Sequence, residues 1–89
     1  MKNLFHKSLE LNNSAAILAS VSEIIFISLR ALFAKENIYY KGLFDLDPYL
    51  SMHPEIDLSL KQINENILHR ELLKEGIDNY LKTVDQILL

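Results

Sequence analysis

Between Ser14 and Ala34 the run SAAILASVSEIIFISLRALFA carries two charges, Glu23 and Arg30, in 21 residues. No other stretch constrains the chain so tightly. The spacing predicts a helix over 14–35, and on that helix Ala16, Ser20, Glu23, Ile27, Arg30 and Ala34 fall on one narrow stripe, with the rest of the circumference apolar or small. A helix with so little polar surface is normally enclosed on several sides, either as the centre of a bundle or at the seam between two chains. Ala15, Ala19, Ser22 and Ile24 are the expected oligomer seam, because small side chains let a neighbouring helix approach closely. The competing reading is a single membrane span over 14–34, since about 20 apolar residues cross a bilayer. Two mid-span charges, at about 2.5 to 3.5 kcal/mol each on insertion scales, weigh against it, and no tryptophan anchors its ends.

The flanking segments supply partners for such a helix. Leu4, Phe5, Leu9 and Leu11 recur at helical spacing over 2–11, and Asn12, Asn13 and Ser14 provide capping chemistry before the apolar run. Both prolines and one of the two glycines lie between residues 42 and 54, so the main break in the chain falls there. Within it, Asp47 followed by Pro48 predicts a short helix over 48–52. From Ile56 onward, Ile56, Leu60, Ile63, Ile67, Arg70, Lys74, Ile77, Leu81, Val84 and Leu88 keep a 3.5-residue period, which predicts one helix over 54–88. Gly76 is the alternative stopping point, as a left-handed C-cap with Asp78 opening a further helix. The expected architecture is a single all-α domain over 1–89, a bundle of three or four helices. Without cysteine to supply a disulfide or a thiolate metal site, a chain of this size is expected to complete its core by oligomerisation, as a homodimer.

Charge and motif content narrow the function. A formal charge of −3, with the basic residues dispersed, weakly repels phosphate backbones, so nucleic acid is an unexpected partner. The N-terminal residues lack the pattern of a signal peptide, and a cytoplasmic protein is expected. His6 with Glu10, and Glu65 with His69, have the i, i+4 spacing of helical metal ligands, which makes a small metal-binding bundle a further alternative. Ordinary exposed polar pairing accounts for the same spacing. Asp45, Asp47, Glu55 and Asp57 form an acidic region without the spacing of a calcium loop, and helix capping accounts for Asp47 and Asp57. No glycine-rich phosphate cradle or nucleophile motif is present, so neither an enzyme nor a bound cofactor is expected. Aromatic residues and methionine are favoured at interface centres, and Tyr39, Tyr40, Phe44, Tyr49 and Met52 concentrate in the connector. Arg70 and Lys74 interrupt an otherwise apolar seam, a place where an acidic partner would dock. Together these features predict a non-enzymatic protein-interaction module: an adaptor, a chaperone-like or inhibitory subunit, or a neutraliser of another protein.

Overall fold

The structure is a computed structural model, and it describes residues 2–38 and 46–89. The described residues form five helices and no strand, in the order α1 (Lys2–Leu11), α2 (Ser14–Lys35), α3 (Leu46–Met52), α4 (Pro54–Glu65) and α5 (Arg70–Leu88). The first two boundaries follow from local chemistry. Asn12 takes a left-handed φ of 56°, a conformation that asparagine tolerates better than most residues, and this ends α1. Asn13 then caps α2, its Oδ1 accepting the Ala16 N–H at 3.1 Å. Asn37, at φ 58°, repeats the device at the other end of α2, where the Ile38 N–H returns to the Phe33 carbonyl at 2.9 Å.

The last third of the chain departs from a continuous helix over 54–88, and it breaks ten residues before Gly76. Asn66 ends α4, its side-chain Nδ2 donating to the Gln62 carbonyl at 2.9 Å, and the backbone turns through Ile67 and Leu68 to an extended His69. Gly76 lies inside α5 and is buried. It lies against α4: a Cβ built there would meet Ile63 Cγ1 at 3.5 Å. The two helices therefore fold back as a hairpin. The sequence period survived the turn because both arms present aliphatic residues to one core.

That core joins every helix. Phe5 comes from α1; Ile17, Val21, Ile24, Leu29, Leu32 and Phe33 from α2; Tyr49 from α3; Ile56 and Ile63 from α4; and Leu73, Ile77, Tyr80, Leu81 and Val84 from α5. Helix α2 packs on α1 and α5, and α4 packs on α3 and α5. Serines on α2 enter the core with partners. The hydroxyls of Ser20 and Ser8 lie 3.2 Å apart, each also donating one turn back to a carbonyl, and the Ser28 hydroxyl meets the Tyr80 phenol. Ser20 is thus 7% exposed and faces α1, so it does not belong to the polar stripe. Glu23, Ile27, Arg30 and Ala34 of that stripe are exposed, and Ala16 is half-buried.

A candidate interaction surface on the second helix

Packing against α1 and α5 uses one side of α2. On the other side Ala15, Leu18, Ala19, Ser22, Glu23, Phe26, Ile27, Arg30 and Ala34 are exposed. Phe26 and Ile27 retain 47% and 43% of their accessible surface, which makes a phenyl ring and a branched aliphatic side chain the middle of an outward face. Apolar side chains clustered on one helix face mark an interaction surface more often than do singly scattered ones. The Arg30 guanidinium sits 5.5 Å from the centre of the Phe26 ring, so the cation lies over the aromatic surface. The outward face extends at its N-terminal end to a hollow that Leu18 shares with Leu68, the latter 89% exposed at the turn between α4 and α5.

The expected seam divides across this geometry. Ala15, Ala19 and Ser22 lie on the outward face, whereas Ile24 is 1% exposed and points into the chain's own core, so it is not available to another chain. Leu18, Phe26, Ile27 and Arg30 replace it. They share a helix face with Ala15, Ala19 and Ser22, a relation readable from spacing once the buried side of α2 is known.

The aromatic connector does not assemble into one patch among the described residues. Tyr49 is buried, its ring 4.4 Å from Phe33 and 4.7 Å from His53, while Met52 is exposed. Tyr39, Tyr40, Phe44 and Asp45 lie outside the described residues. Burial, reinforced by the nearby Glu36 carboxylate, pushes the Tyr49 phenol up to about 12. Its hydroxyl has no hydrogen-bond partner among the described residues. His53 links the C-terminal end of α2 to the α3 and α4 corner, its Nε2 lying 2.7 Å from Glu36 and its Nδ1 3.5 Å from Glu55.

Arg70 and Lys74 are exposed at the start of α5, off the core, where they line an open groove of about 320 Å³ with His6, Leu9, Glu10 and Glu71. Two carboxylates among those side chains give the groove a mixed field, so it does not select an acidic partner by charge alone. His6 and Glu10 sit together on α1, but Glu65 and His69 fall on opposite sides of the turn that separates α4 from α5. No group of three or more potential metal ligands gathers among the described residues. Asp57 pairs with Lys61 at 3.2 Å in the first turns of α4, and Asp47 is exposed in the first turn of α3. Compared with protein-family models, with curated proteins and with solved structures, the chain matches none.

Proposed function

We propose that the chain is a non-enzymatic protein-interaction module, of the adaptor or inhibitory-subunit kind, that presents the outward face of α2 to another polypeptide. The observation that carries this reading is the division of one helix into two sides that both carry large apolar residues, of which only one is buried among the described residues. The outward side mixes Phe26 and Ile27 with the small residues Ala15, Ala19, Ser22 and Ala34 and the opposite charges Glu23 and Arg30, a composition that combines close helix packing with charge pairing. A cytoplasmic location belongs to the same reading.

Membrane insertion is the second reading, favoured by α2 being long and apolar enough to cross a bilayer. To span alone, α2 would have to leave α1 and α5 and give up the Ser8–Ser20 and Ser28–Tyr80 contacts, which place hydroxyls against partners inside the bundle. A photo-crosslinking residue at position 26, compared with one at the exposed Glu75 of α5, separates the readings in the cell. The interaction reading expects one discrete polypeptide adduct from position 26, none from position 75, and loss of that adduct on Ile27→Asp. Adducts to lipid, or equal labelling from both positions, would contradict it.

A further inference from the structure

We draw no further inference here: the strongest candidate, the hollow that Ile17, Leu18, Leu68, Arg70 and Leu73 line between the start of α2 and the turn from α4 to α5, is an apolar surface for which nothing in the structure shows what covers it.

Discussion

The two sides of α2 both carry large apolar side chains, yet they occupy opposite environments. The inward side buries Ile17, Val21, Ile24 and Leu29, together with two serines, whereas the outward side leaves Phe26 and Ile27 with nearly half of their surface exposed. Glu23 and Arg30 mark the outward side, but they do not say which of the remaining residues reach the core. Partners do: Ser20 found Ser8 on α1 and Ser28 found Tyr80 on α5, so hydroxyls enter the core at little cost while larger apolar groups remain outside. The inward side packs on α1 and α5, whereas the outward side stays exposed among the described residues.

The adjacent positions 19 and 20 offer the sharpest break in that comparison. Ser20→Lys would carry an ammonium into the contact between α1 and α2, and it should cost several kcal/mol and unfold a large fraction of the chain in mild urea. Ala19→Arg should leave the unfolding free energy of the monomer within about 1 kcal/mol while abolishing self-association. Reversal of that order would show the two sides to be misassigned. The next pair compares aliphatic residues of one size. Ile24→Ala should cost about 2 to 5 kcal/mol in denaturant titration, and Ile27→Ala well under about 1 kcal/mol when measured on dilute monomer.

Alkaline pH probes the inward side through its tyrosines. Burial raises the folded-state phenols of Tyr49, to about 12, and of Tyr80, the latter partly offset by its hydrogen bond to Ser28. A group whose folded pKa is raised contributes stability that is complete below its unfolded value, near 10, and is lost as pH rises through the folded value. Stability should therefore hold to about pH 9.5 and fall by on the order of 2 to 3 kcal/mol between pH 10 and 12 for Tyr49 alone. Tyr49→Phe should shrink that fall without weakening the fold at neutral pH, since its hydroxyl has no partner among the described residues to lose. The smallest expected effect concerns the α4 and α5 hairpin, which faces α2 from the far side of the core. A methyl at Gly76 would sit in ordinary contact with Ile63, so Gly76→Ala should raise thermal stability by about 0.5 to 1 kcal/mol, and a loss would mean that the helices are closer than 3.5 Å contact implies.

Much of the helical layout was legible because it is written in neighbouring residues. Asn12, Asn13 and Ser14 specify the end of α1 and the start of α2 through chemistry that operates within a turn, and the apolar run of α2 needs no distant partner to be recognised. The features that depend on distant partners were not legible. Gly76 reads equally as a C-cap or as a point of close approach until Ile63, thirteen residues earlier, is placed beside it. The same holds for Ser20, whose hydroxyl looks solvent-facing until Ser8 appears opposite. Arg70 and Lys74 were the visible trace of the α4 to α5 turn, since two consecutive cations in an apolar seam are where that seam leaves the core. Of the outward face, Ala15, Ala19 and Ser22 were found through their size. Ile27 was placed outward by the narrow stripe it shares with Glu23, Arg30 and Ala34, but Phe26 was not, because on a helix apolar nearly all round a large side chain carries no mark of which way it points.

Melting temperature as a function of chain concentration tests the central claim most directly, because ligation of the native state by a second copy stabilises it by mass action and nothing else in the monomer does. Between about 1 and 100 μM the melting temperature of the unmodified chain should rise by several degrees, and that of the Ile27→Asp variant should stay constant at the value the unmodified chain reaches on dilution. A concentration-independent melting temperature for the unmodified chain would contradict self-association, and an Ile27→Asp chain less stable than the dilute monomer would contradict the assignment of the outward face of α2 to docking rather than to the fold.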